Sequence, residues 1–422
     1  MNHILSARFL ILLATCAAIT TPAKADVVSE WIAAAKENNA ALARTKAEAK
    51  AAFARVPQAK SLPDPTVEVG STGFQEEIGA FQYARLAQAF PWPGTLGARQ
   101  SAASLEARAR WLQIQALELE VVSKVRVAAA DLAFLAKEAE LIGVNISLFE
   151  KQMDYLEQIS RGGGDVSDLV RVEMESGLLN DDLQRNAERI TRRLAELGSV
   201  VGRPIERGSL KRLSFPDSNV KRKSEAEWLG ELSIRNPTLQ ALASRTEAAR
   251  AGIRVARLEN YPEFMLGAGY RNFVGPQMGG GTDRRSEATV MFSISLPIWG
   301  EKNEGKRDEA SAMLEAAVQQ HEDASQLLRA RLVSLLSNNR DATRRAVLFA
   351  NELLPKAKQA HEAVETSYRA GKASLLDVFD SRRRLLDVET EMWRSKADQY
   401  MSRAEIDALF GTEIQTISRG IQ

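Results

Sequence analysis

Two carboxylates, Asp377 and Asp380, stand three residues apart in Ser374-Leu375-Leu376-Asp377-Val378-Phe379-Asp380, a run that reads as the start of a helix. At that spacing both share one helix face, where they attract cations and repel anions. That is electrostatic work, not bond making. The other reading is that Asp377 is an early-turn acid favoured by the helix dipole and Asp380 a solvated neighbour of Arg382, Arg383 and Arg384. No catalytic set accompanies the pair. After residue 25 the chain holds two histidines, His321 and His361, forty residues apart, which is not a metal-ligand spacing. Acidic pairs such as Asp181 and Asp182 read as solvated helix faces. No Gly-rich phosphate loop follows a strand, and no Ser-His-Asp set falls within reach. The expectation is a non-enzymatic protein with no cofactor and no resident metal.

Composition narrows the class further. Residues 1–25 read as a signal peptide: Arg8 supplies charge, Phe9 to Ala18 is mostly apolar, and Ala23-Lys24-Ala25 offers a small-x-small cleavage site. Leu13-Ala14-Thr15-Cys16 is an alternative lipoprotein box, with Thr15 where a smaller residue is usual. Without that segment there is no cysteine, hence no disulfide framework and no thiolate metal site. Removing Arg8 and Lys24 leaves 54 basic against 55 acidic residues, a balance that argues against nucleic acid as a partner. No later run of apolar residues is long enough for a transmembrane helix. Any span of a membrane must then be made by strands.

Strands are present, twice. In Pro262 to Gly300, Phe264, Leu266, Ala268 and Tyr270 share one face of an alternating run. A turn-rich loop follows, and then Ala288, Val290, Phe292, Ile294 and Leu296 share a face of a second run. The same pattern precedes it at Pro65 to Gly94. Asn39, Leu42, Pro65 and Gly70 recur 197 residues later as Asn236, Leu239, Pro262 and Gly267. Beyond the hairpin, Ser160, Gly164 and Ser167 recur at an offset of 207 as Ser367, Gly371 and Ser374. The chain is a duplication. The organisation expected is a signal peptide (1–25); repeat one (26–200), with a hairpin at about 65–91 and a tip turn at 162–166; an irregular segment lying outside the rod (201–223); repeat two (224–411), with a hairpin at about 262–297 and a tip turn at 370–374; and a tail (412–422).

The rest reads as long helix. From Thr95 to the Gly162-Gly163-Gly164 turn, Ile114, Val121, Ala128, Leu135, Ile142, Phe149 and Leu156 repeat every seven residues, the mark of a left-handed coiled coil. At the helical rise this is a rod of about 100 Å. A seam of Leu169, Val172, Leu179, Leu183, Ile190, Leu194 and Leu197 marks a shorter helix packed back along it. In repeat two one uninterrupted helix is expected over about Asn303 to Ala370, with Leu314, Val318, Leu328, Leu332, Leu335, Phe349 and Leu353 inward. Asp26 to about Lys60 and Ser224 to Glu259 each read as a single helix. Four strands cannot close a barrel, and open edges are not tolerated in lipid, so strands entering a membrane must be pooled among several chains. The alternative is a soluble β-layer packed on helices.

These features carry a resemblance. The duplication, Asn236-Pro237-x-Leu239 opening a helix that leads to Pro262, Leu296-Pro297 ending the hairpin, and above all Ser367-Tyr368-Arg369-Ala370-Gly371-Lys372-Ala373-Ser374-Leu375-Leu376-Asp377-Val378-Phe379-Asp380 resemble the TolC-type outer-membrane efflux proteins over essentially all of the chain after residue 25. The resemblance implies a mainly α fold with a membrane β-hairpin pair. The coiled-coil helices would form an α-barrel, and four strands per chain would be pooled in a homotrimer into a 12-stranded β-barrel in outer-membrane lipid. It implies partners: a periplasmic adaptor docking at the tips, at Gly164, Ser167, Gly371 and Ser374, and an inner-membrane pump of RND type. It places Asp377 and Asp380 at the periplasmic entrance as stacked rings, with Tyr368 and Lys372 helping to lock it. Lysine replaces the more usual arginine at Lys372, and the acid expected in repeat one is Val170, with Asp168 as the substitute at hand. Phe90-Pro91-Trp92-Pro93-Gly94 and Phe264 to Tyr270 are similar to the heavy-metal branch, which implies passive export of metal cations. A drug or protein-secretion duct of the same family remains open, as does a soluble periplasmic coiled-coil adaptor or scaffold.

Overall fold

A buried asparagine breaks the opening helix of each repeat in two. The computed structural model describes residues 26–72, 80–161, 166–213, 215, 223–276 and 282–411. The signal-peptide reading of 1–25, the tail at 412–422 and Gly164 lie outside these residues. Where one helix was expected to Lys60, α1 (Val27–Asn38) and α2 (Ala40–Lys60) meet at Asn39, whose backbone is extended. Asn39 Oδ1 accepts from the Leu42 N–H at 3.0 Å, and its Nδ2 donates to the Val200 carbonyl at 2.8 Å. The break recurs between α5 (Glu225–Arg235) and α6 (Pro237–Leu258): Asn236 Oδ1 accepts from Leu239 N at 3.0 Å and Nδ2 donates to the Leu409 carbonyl at 2.9 Å. Each amide caps the following helix and ties the junction to the end of another, so a buried polar group is satisfied on both sides.

Repeat one continues through β1 (Thr66–Thr72), β2 (Ala80–Phe90), α3 (Thr95–Arg161) and α4 (Val166–Val201). The heptad residues Val121, Ala128, Leu135, Ile142, Phe149 and Leu156 of α3 are buried, as are Val172, Leu179, Ile190, Leu194 and Leu197 of α4. Repeat two has β3 (Glu263–Pro276), β4 (Thr282–Ser295), α7 (Gly300–Leu348), α8 (Leu354–Arg369) and α9 (Leu375–Phe410). Its long helix is not uninterrupted: one π-helical turn, Phe349–Leu353, separates α7 from α8. Pro355 explains it, having no N–H for the carbonyl one turn back and a ring that crowds it. Val318, expected inward, is 42% exposed, on a stretch of α7 whose Ala317 carbonyl accepts from Thr246 of α6.

The segment between repeats is also corrected. Arg207–Arg212 forms a 3-10 turn, and Ile205, Leu210, Leu213 and Phe215 pack on the main core instead of lying outside it. Phe215 stacks on Trp393 of α9 at 5.4 Å. Its charged side chains point outward, as in the Arg212–Glu30 pair at 2.7 Å.

The two repeats are joined mainly by packing. Phe149 of α3 meets Phe379 of α9 at 5.1 Å, within a cluster that includes Ile142, Val172 and Leu375. Asp131 of α3 bridges Arg193 of α4 at 3.0 Å and Arg394 of α9 at 3.2 Å. A fully buried Leu or Phe contributes about 1.5–3 kcal/mol, and partly exposed ion pairs about 0–1 kcal/mol, so the apolar seams dominate.

The four strands form one antiparallel sheet in the order β1-β2-β3-β4. Its register aligns Val67 with Leu86, Leu86 with Ala268 and Ala268 with Val290, and places Phe264 opposite Ile294 and Leu266 opposite Phe292.

Candidate functional site

The tip of repeat two is built from its backbone outward. Helix α8 is capped at Ala370, and Gly371 takes φ 70°, a left-handed conformation that glycine adopts without Cβ strain. The Lys372 N–H then returns to the Ser367 carbonyl at 2.9 Å and the Gly371 N–H to the Tyr368 carbonyl at 2.9 Å, a Schellman closure. A Cβ at Gly371 would meet nothing within 4 Å, so the backbone lies open to the outside.

Ser374 starts the next helix. Its Oγ accepts from the Asp377 N–H at 3.2 Å, while Asp377 Oδ2 accepts from the Ser374 N–H at 2.9 Å and from Oγ at 2.7 Å. The Ser374 side chain and then its backbone N–H hold the Asp377 carboxyl below the usual carboxylate range. Asp377 is thus both a cap and an exposed charge; Asp380, one turn on, is exposed too, as is Lys372.

Tyr368 is half-buried against the cluster around Phe149 and Phe379. Burial raises its phenol pKa, with Asp168 and then Tyr155 adding to the shift. Asp168 is therefore the repeat-one carboxylate whose field reaches Tyr368, while Val170 is 56% exposed. Helix α4 begins at Val166, so Ser167 lies inside its first turn and not ahead of it as Ser374 does in α9. Sequence reasoning missed Asn145, a buried polar residue in the α3 seam that accepts from Arg382 of α9 at 2.7 Å, and the role of His361 beside that arginine. The signal was available: Asn145 interrupts the apolar seam next to Ile146.

At the far end, the sheet has two unlike faces. Val67, Val69, Leu86, Leu266, Tyr270, Val290, Phe292 and Ile294 lie on one face and are between 45% and 83% exposed. The opposite face carries Glu68 paired with Arg85 at 3.3 Å and Arg271 paired with Glu287 at 2.5 Å. At the helical end, Trp92 stacks on Tyr261 at 4.9 Å and on Phe264 at 5.7 Å. The sheet thus carries a band of exposed apolar side chains on one face and ion pairs on the other, with stacked aromatics at its helical end.

The second repeat matches the family model described as Outer membrane efflux protein over residues 228–412. Outer membrane protein TolC of Vibrio cholerae serotype O1 is 21% identical over 417 residues, 94% of each chain. The second repeat belongs to the outer membrane efflux protein family, and the chain as a whole is similar to TolC. A TolC-family member is a non-enzymatic efflux channel of the outer membrane whose helices extend into the periplasm. The cobalt-zinc-cadmium resistance protein CzcC of Cupriavidus metallidurans is 27% identical over 189 residues, 44% of this chain and 43% of that one. The fold is that of the Neisseria gonorrhoeae MtrE outer membrane channel, with a TM-score of 0.75, 17% identity and 92% and 89% of the two chains covered.

Proposed function

We propose that three copies of this chain pool their strands into one 12-stranded barrel, and that their helices continue as a periplasmic tunnel serving as the passive exit duct of a tripartite efflux system. The observation that carries this is the sheet: β1 and β4 are paired on one side only among the described residues, and one face carries a band of exposed apolar side chains. In lipid those edges must find partners, and further copies of the same sheet supply them. The soluble adaptor reading leaves that face without a purpose.

In this reading the tips at Gly371 and Ser374, and at Gly164 and Ser167, receive a periplasmic adaptor that links the duct to an inner-membrane pump of RND type. The open backbone at Gly371 supports close approach by a partner. Asp377 and Asp380 form two stacked anionic rings at the entrance, with Tyr368 and Lys372 beside them. The cargo we propose is heavy-metal cations, supported by the likeness to CzcC and by the exposed acid pair. Among the described residues no cluster of His, Cys, Asp and Glu could hold a metal ion, and a duct that releases its cargo works best without one. Planar-bilayer recording of wild type and the Asp377→Asn/Asp380→Asn double variant tests the reading. Cation-selective pores that lose selectivity in the double variant support duct and gate together, whereas a protein that never inserts removes both.

A further inference from the structure

The described surface and cavities offer one buried cluster of polar side chains that bears on movement of the entrance helices. His361 of α8 is 7% exposed. Its Nδ1 lies 2.9 Å from Ser381 Oγ and its Nε2 lies 3.4 Å from a terminal guanidinium nitrogen of Arg382, both on α9. Arg382 in turn donates through Nε to Asn145 Oδ1 of α3 at 2.7 Å, and Asn145 donates through Nδ2 to the Leu141 carbonyl at 2.7 Å. Three helices, two from repeat two and one from repeat one, thus meet through four side chains.

Elementary donor and acceptor counting fixes the protonation state. A guanidinium can only donate, so Nε2 must be the acceptor and the imidazole proton sits on Nδ1. Nδ1–H then donates to Ser381 Oγ, whose own proton goes to the Val378 carbonyl at 2.8 Å. Every group in the chain is satisfied only while His361 is neutral.

We infer that Arg382, seated between neutral His361 and Asn145, is a latch that holds α9 against α3, and that acidification releases it and lets the entrance open. The entrance part of this inference rests on the duct reading above. Protonation puts an Nε2–H against the guanidinium, so two donors face each other at 3.4 Å. The carboxylate of Glu365, 3.6 Å from Nε2 on the same helix, is the acceptor toward which a charged ring turns, away from Arg382. The charged groups facing His361 are Arg382 on α9 and Glu362 and Glu365 on α8, while α3 meets the network through the uncharged Asn145. Burial and then Arg382 lower the His361 pKa below the ordinary 6.5, with Glu365 and Glu362 opposing. The sign follows from linkage: the released state binds the proton more readily, so the latch is fully held above pH 6.5 and weakens as pH falls below it.

The test is channel recording on the full chain at about pH 7.5 and about pH 5.5, together with thermal unfolding at both. Wild type should gain about tenfold in the ratio of open to closed channels on acidification, the scale of a 1.4 kcal/mol bias in a two-state equilibrium. His361→Gln, which stays neutral, should not respond, and Arg382→Gln should be open at both values. Glu365→Gln, altered at a side chain 43% exposed, should keep the fold and need lower pH to open. The same acid response in His361→Gln as in wild type overturns the latch. A response in unfolding temperature without one in conductance also overturns it, leaving a structural cluster only. Absence of pores in every variant removes the duct reading itself, and the gate with it.

Discussion

The Asp377 carboxylate closes a reciprocal pair with Ser374, taking bonds from its N–H at 2.9 Å and its hydroxyl at 2.7 Å while the serine oxygen caps the Asp377 amide. One oxygen is thereby occupied, and the charge stays exposed. Because the bonds from Ser374 depress its pKa, Asp377 remains ionised as pH falls through 3.8, and its capping contribution is lost only below that. In an Asp380→Asn background, cation preference should therefore persist to below pH 3.8 in bilayer recordings. Loss of preference well above that value would remove Asp377 from the gate.

Gly371 separates backbone strain from docking. Valine at φ 70° should cost about 1–2 kcal/mol, because left-handed backbone is strained for a branched residue. Asparagine tolerates that conformation but covers the open backbone. Gly371→Asn should keep the unfolding temperature near wild type and still reduce export in cells. Export equal to wild type in Gly371→Asn would leave the glycine with a turn-forming role alone.

The two buried asparagines should behave as a pair. Asn236→Ala removes a helix cap and leaves the Leu409 carbonyl without its donor, which should cost about 1–3 kcal/mol. Asn39→Ala should act similarly through Leu42 and Val200. Denaturant melts of both variants check this, and a neutral result at either site would mean that water replaces the lost bonds.

The faces of the sheet can be told apart chemically, since Cys16 is the single native cysteine. Cysteines placed at Val290 and Phe292 should resist a charged thiol reagent and react with a lipid-soluble one. At Thr289 and Met291, on the opposite face, the preference should reverse. Equal labelling of neighbouring positions would contradict the lipid-facing assignment of the apolar side.

Much of this was legible in the sequence because it is periodic. The alternation of Phe264, Leu266, Ala268 and Tyr270 reports a shared sheet face, the heptads of α3 report burial, and the internal duplication checks each against a copy. What escaped depends on contacts between distant parts. Asn39 and Asn236 were visible as repeat markers, but their helix breaks depend on carbonyls at Val200 and Leu409, 161 and 173 residues away. The π turn was signalled by Pro355 alone, and Phe215 by nothing until Trp393 came alongside. His361 looked solitary because its partners Ser381 and Arg382 sit across the tip turn and Asn145 in the other repeat.

The two half-paired strands, β1 and β4, have a genetic consequence. On the three-copy reading every subunit supplies both sides of a seam, so a chain with a spoiled edge does more than fail by itself. A proline placed in the middle of β1 would remove a ladder N–H where the next copy must bind. Co-expressed in equal amounts with wild type, such a chain would leave only about one assembly in eight free of it, on random mixing of three. Edge mutations in this gene should therefore be dominant, and tip mutations that spare assembly should be diluted instead.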